Sequence, residues 1–181
     1  MLRIEVPLGP EQWDEANEVF VLPPVKVLVL EHSLVSLSKW ESKWLKPFFS
    51  KKEKTAEELL SYIQMMTVTP NVQPEVYDHL TDENIREIEA YIDAPMTATT
   101  FAKDKSGGQN REVITAEIIY YWMIAHQIPD RFDKWHVNRL LTLIRVCNEK
   151  NAPKKKRGRT DTARKYAAMN AERRAKMKSK G

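Results

Sequence analysis

The apolar periodicity that can build a core stops at Cys147, and a few residues later the chain changes its chemistry. Residues 151 to 181 carry 12 Lys or Arg against only Asp161 and Glu172, a net charge of +10, whereas residues 1 to 150 hold 17 bases against 23 acids, a net charge of −6. The overall +4 conceals this split. Any core must come from the first 150 residues, and the remainder reads as an interaction arm. In Lys154-Lys155-Lys156-Arg157-Gly158-Arg159, charge repulsion and scarce apolar surface argue against packing, so this run reads as a linker. Residues 161 to 178 are good helix formers but offer only Tyr166, Met169 and Met177 as sizeable apolar groups. The expectation is a helix that forms fully only on a partner. The organisation expected is an acidic, mainly helical body over 1–150 and a basic, partly disordered, helix-prone arm over 151–181.

Within the body, Leu2 to Val6 alternates with period two, and Val25 to Leu30 is rich in β-branched residues after the breaking pair Pro23-Pro24. These predict a small N-terminal antiparallel β element. From Ser33 the period becomes helical: Leu34, Leu37, Trp40 and Trp44 share one face, and the helix stops before Pro47. Thr55-Ala56-Glu57-Glu58 is a capping-box pattern opening a second helix that runs to about Met66. Val76, Tyr77 and Leu80, then Ile85, Ile88 and Ile92, predict short amphipathic helices ending before Pro95. Thr97 to Phe101 and Arg111 to Thr115 suggest a hairpin around Gly107-Gly108. Ile118 to Ala125 is apolar on nearly every face, the signature of a core helix in which Trp122 is the least tolerant position. A last body helix is expected over Asp130 to Lys150, with Lys134, Asn138, Thr142, Arg145 and Glu149 as its polar stripe. The fold class is thus mainly α with a small β element.

Several function classes find no support in these residues. The longest apolar runs fall short of the roughly 20 residues of a membrane-spanning helix. The N-terminus lacks the pattern of a secretory signal, so the expected location is the cytoplasm. A single cysteine, Cys147, excludes an internal disulfide and a thiolate-rich metal site, and it reads as a small buried hydrophobe. His32, His79, His126 and His136 lie far apart in sequence without metal-ligand spacing, and each reads as structural or superficial. Gly107-Gly108 lacks the rest of a phosphate-cradling pattern. Glu57-Glu58 and Glu83 to Glu89 read as solvated helix starts and faces. Trp40, Trp44, Trp122 and Trp135 fit core packing, and Trp13, among Gln12, Asp14 and Glu15, is either a strand cap or an exposed anchor. No catalytic constellation, metal site or cofactor site emerges.

The arm is the segment that core packing does not explain. Its candidate partner-binding residues are Lys154, Lys155, Lys156, Arg157, Arg159, Arg164, Tyr166, Arg173 and Arg174. Such a charge density suits phosphates, released counterions giving salt-sensitive and sequence-independent binding, and equally suits an acidic protein surface. Tyr166 is the only aromatic residue available for base stacking, which favours a protein.

The strings Ile114 to Ala125, Ile128-Pro129 and Lys134 to Cys147 resemble a family of tailed-phage proteins, the tail assembly chaperones. Glu31 to Trp44 resembles the same family, and the basic ending with Asn170-Ala171 before Arg173-Arg174 is similar to the family's usual C-terminus. The resemblance implies a non-enzymatic protein in the host cytoplasm that accompanies the tape-measure protein while the tail tube assembles around it. It implies the tape-measure and tail tube proteins as partners. Self-association, nucleic acid bound through the arm and a structural place in the virion stay open as alternatives.

Overall fold

The computed structural model describes residues 1–15, 17–101, 113–152 and 159–177, and of residues 159–162, 165 and 175 the backbone alone. Strands β1 (Leu2–Pro7) and β4 (Val25–Leu30) pair antiparallel, with Leu2 opposite Leu30 and Pro7 opposite Val25. Period-two alternation sends Ile4, Val6, Leu28 and Leu30 into the core. Between them β2 (Gln12–Asp14) and β3 (Val19–Val21) form a second two-stranded sheet. The helices are α1 (Leu34–Trp44), α2 (Ala56–Met66), α3 (Asp82–Asp93), α4 (Ala116–Ala125), α5 (Val137–Asn151) and α6 (Arg159–Met177), with 3₁₀ segments at Pro74–His79 and Asp130–Lys134. The chain is mainly α with a small N-terminal antiparallel β element. It divides into two compact units, Met1–Cys147 and Asn148–Gly181, and α5 crosses the boundary.

Local chemistry places the first helices. Ser33, Thr55 and Thr81 each cap a helix by accepting the N3 amide, and Ser36, Glu58 and Asn84 return a hydrogen bond to the cap backbone. In α1, Leu34, Leu37 and Trp40 turn inward and the helix packs on α4 and on α2, which contributes Tyr62, Ile63 and Met66, while α3 packs on β1. Ile88 of α3, Ile119 of α4 and Leu140 of α5 complete the same core.

Several expectations need correction. Helix α4 is not enclosed on every side: it buries Ala116, Ile119 and Met123, leaves Trp122 half-buried, and exposes Tyr121 and Ile124 by 66% and 76%. Trp40, 1% exposed, is the central tryptophan instead, while Trp44 and Trp135 are also only half-buried. The helix expected over Asp130 to Lys150 is broken at Trp135-His136. There the backbone of His136 bridges to Ser33, and the Val137 amide donates to the His32 carbonyl at 2.8 Å. Its polar stripe is in part structural, because Asn138 Nδ2 donates to the carbonyls of Ile92 and Ala94, both at 2.9 Å. Thr97 to Phe101 forms no strand. Met96 adopts a positive φ of 48°, the Thr97 hydroxyl accepts the Thr99 amide at 3.1 Å, and Phe101 lies under the Arg145 guanidinium at 3.9 Å. Val113 to Thr115 is also non-strand, and Gly107-Gly108 falls outside the described residues. Finally, Cys147 is half-buried rather than fully enclosed.

Candidate functional site

The arm residues divide by what the structure describes. Lys154, Lys155, Lys156 and Arg157 lie outside the described residues, and Arg159 opens α6. Arg164, Tyr166, Arg173 and Arg174 are exposed on that helix. Tyr166, Met169, Arg173 and Met177 recur at steps of three, four and four, so they share one face. Arg164, two residues before Tyr166, sits on the opposite side. The Glu172–Lys176 pair, 3.0 Å apart at i,i+4 spacing, supports the helix from within. The arm therefore presents a narrow stripe of one aromatic ring, two thioethers and a guanidinium.

In the body, two histidines read as unrelated meet at the centre. His32 and His136 rings lie 4.9 Å apart, and both side chains are buried. His32 Nδ1 shares a 2.5 Å hydrogen bond with the Tyr62 hydroxyl. His136 Nε2 donates to the Tyr91 carbonyl at 2.9 Å, while its Nδ1 accepts the Asn138 amide at 3.3 Å. Those two bonds fix the neutral tautomer of His136, since an imidazolium has no acceptor to offer Asn138. The Tyr91 hydroxyl donates to Glu31 Oε1 at 2.8 Å, and the N-terminal ammonium sits 3.1 Å from Glu31 Oε2. Burial, aided by the neighbouring His136, pulls the pKa of His32 down to about 3. Burial also lowers His136 against the opposing pull of its bond to Tyr91. Tyr62 and Tyr91 are pushed up, in each case chiefly by burial. The cluster ties β4, α1, α2, α3 and α5 together with both histidine side chains buried. Among the described residues no three His, Cys, Asp or Glu side chains are placed to hold a metal ion.

Glu41, buried on α1, does comparable structural work. Its Oε1 accepts the Phe48 amide and its Oε2 the Ala116 amide, both at 2.7 Å. Thr115, the N-cap of α4, makes no side-chain cap of its own, so a carboxylate 75 residues away serves α4 instead. Glu58 corrects the reading of a solvated acid: it is 3% exposed, its Oε1 accepts from Lys46, and its Oε2 accepts the Thr55 amide at 3.0 Å. The Lys46 bond, with that of Thr55, holds it below the usual carboxylate range.

Together Glu41 and Glu58 fix the walls of a cleft of about 910 Å³ beside the loop from Leu45 to Thr55. Its apolar side is Trp40, Leu45, Pro47, Phe49, Val113 and Ile114, and its rim carries Lys46, Lys51, Lys52 and Lys54. Leu45 is 87% exposed and ends α1 with φ 52°, a left-handed conformation that ordinarily favours glycine. Lys54 lies 4.2 Å from the Phe48 ring centroid, and burial lowers its pKa. A second exposed apolar feature is the β2–β3 hairpin, where Trp13 and Phe20 stand opposite each other with rings 4.9 Å apart. Trp13 is thus a strand residue and an exposed one, at 51%. Neither the cleft nor the hairpin follows from the sequence pattern, although the lysine density after Trp44 and the mixed acidic and aromatic run at 11–22 were its local signals.

Compared with known proteins, the chain matches no family model, no curated protein and no solved structure.

Proposed function

We propose that this protein is a tail assembly chaperone of a tailed phage, a partner-binding protein whose basic arm engages the tape-measure protein or the tail tube protein during tail assembly. The observation that carries the reading is the exposed stripe of Tyr166, Met169, Arg173 and Met177 on a helix with no core of its own. A strongly basic helix with a narrow stripe of this kind suits the side of a long helical protein, its cations finding that protein's acids. Resemblance of the α1, α4 and α5 strings to the chaperone family supplies the biological setting. On this reading the protein is not an enzyme and works in the host cytoplasm.

The test is binding of co-expressed tape-measure and tube proteins to the full chain, to the chain ending at Asn151, and to a Tyr166→Ala/Arg173→Glu variant. Full-length protein should bind, and the other two should bind roughly tenfold or more weakly, about 1.4 kcal/mol. The +10 charge of the arm supports a second reading, nucleic-acid binding. Retention of duplex DNA alone, with affinity falling steeply with salt and vanishing when residues 152 to 181 are deleted, would replace the chaperone reading with that one.

A further inference from the structure

The β2–β3 hairpin is an unfinished piece of structure. Trp13, Val19, Phe20 and Leu22 are exposed by 51%, 50%, 65% and 72%. A two-stranded ribbon of three-residue strands is at best marginally stable alone and gains its stability by burying a face. The short connection between its strands is acidic, and Glu11, Glu15 and Glu18 are exposed and form no ion pair among the described residues. The hairpin is therefore an apolar knob with a negative rim.

The cleft beside the α1–α2 loop has the opposite character. It is concave, its walls are apolar, and its size falls within the range of roughly 300–1,000 Å³ typical of ligand sites. Lys51 and Lys52 on its rim are exposed and form no ion pair among the described residues, and the four lining lysines against Glu53 and Glu58 leave the cleft a net charge of +2 on an otherwise acidic body. Leu45 combines high exposure with a left-handed backbone, two unfavourable choices at one rim position, as occurs where a surface is shaped for contact. None of the cleft-lining residues belongs to the hairpin of the same chain.

We infer that the hairpin of one copy seats in the cleft of a second copy, Trp13 and Phe20 entering between Phe49 and Ile114 while Glu11 and Glu15 face Lys51 and Lys52. Both halves of the contact are on every chain and they are different surfaces, so the association is heterologous: each copy gives a hairpin and receives one, and the assembly grows as a ring or an open filament. The arm takes no part in this contact and stays available for another partner. The inference stands apart from the chaperone reading, since it needs the purified chain alone.

The experiment is sedimentation velocity on full-length protein and two variants, Lys51→Glu/Lys52→Glu in the cleft and Glu11→Lys/Glu15→Lys on the hairpin. Wild type should form concentration-dependent oligomers that weaken roughly tenfold when salt shortens the Debye length to about 3 Å. Each variant alone should be monomeric with an unchanged thermal midpoint. Mixed together, the two should associate again into alternating oligomers, because the intact hairpin of one meets the intact cleft of the other and the two reversed surfaces also carry opposite charge. Carrying both charge reversals on one chain should restore self-association, and Trp13→Ala should weaken it without reversing any charge. A monomeric wild type, a mixture that stays monomeric, or cleft-variant oligomers equal to wild type would overturn the inference. Loss of association in the hairpin variant alone, with the cleft variant unaffected, would overturn it as well, by showing that the basic arm takes the hairpin.

Discussion

The junction of β4 with α1 and the β2–β3 hairpin invert the usual placement of residues in opposite directions. The junction buries polar groups and the hairpin exposes apolar ones. At the junction each inversion is answered within the chain: Glu31, His32, His136, Tyr62 and Tyr91 all have hydrogen-bond partners. At the hairpin Trp13 and Phe20 meet each other yet stay 51% and 65% exposed, and Leu22 is 72% exposed. A buried polar group without a partner costs about 1–3 kcal/mol, so evolution of a stable fold removes it. An exposed ring costs the monomer little and persists where a partner covers it. The comparison separates residues that hold the fold from residues that await a contact.

The largest effect should come from the side of the comparison that is packed. Trp40→Ala removes a fully buried ring and its 2.8 Å indole bond to the Glu58 carbonyl, and should cost about 3–5 kcal/mol in urea unfolding. Trp122→Ala, at a half-buried site, should cost about half as much, so equal losses at the two positions would refute this account of the core.

Glu41→Ala tests whether the interior polar groups are held in place by their partners. It leaves the Phe48 and Ala116 amides without acceptors and should cost about 3 kcal/mol, a fall in midpoint of roughly 6–12 °C. Glu41→Gln keeps one acceptor oxygen and should lose about half of that. A variant as stable as wild type would mean that water replaces the carboxylate.

Acid should weaken the junction next. The unfolded chain protonates His32 near pH 6.5, whereas the folded chain resists protonation until about pH 3. Below pH 6.5 the unfolded state thus binds the extra proton, and stability falls as the pH drops towards 3, by about 2 kcal/mol between pH 7 and pH 5. His136, lowered in the same direction, adds to the loss. Urea midpoints at the two pH values measure it, and His32→Asn should flatten the slope; an unaltered slope in that variant would show that His32 is not its source.

The smallest effect should lie at the hairpin. Trp13→Ala breaks an exposed aromatic pair and should change the stability of the dilute monomer by no more than about 1 kcal/mol, while weakening self-association. A loss as large as that of Trp40→Ala would show that the hairpin belongs to the core.

What the sequence determined alone are the features governed by neighbours along the chain. Period-two alternation defined β1 and β4, hydroxyl and carboxylate spacing defined the start of α2, prolines limited α1 and α3, and the charge break after Cys147 marked the arm. These follow because capping, backbone restriction and side-chain direction act within a few residues. Tertiary structure decided everything that depends on partners far away. His32 and His136, 104 positions apart, were unrelated until the chain folded, α4 received its cap from Glu41, and the helix expected over Asp130 to Lys150 broke because His136 found Ser33 and Tyr91. The exposure of Tyr121 and Ile124 was equally out of reach, and that of Trp13 was one of two readings, since the same apolar residue is core or contact surface according to which faces the other elements cover.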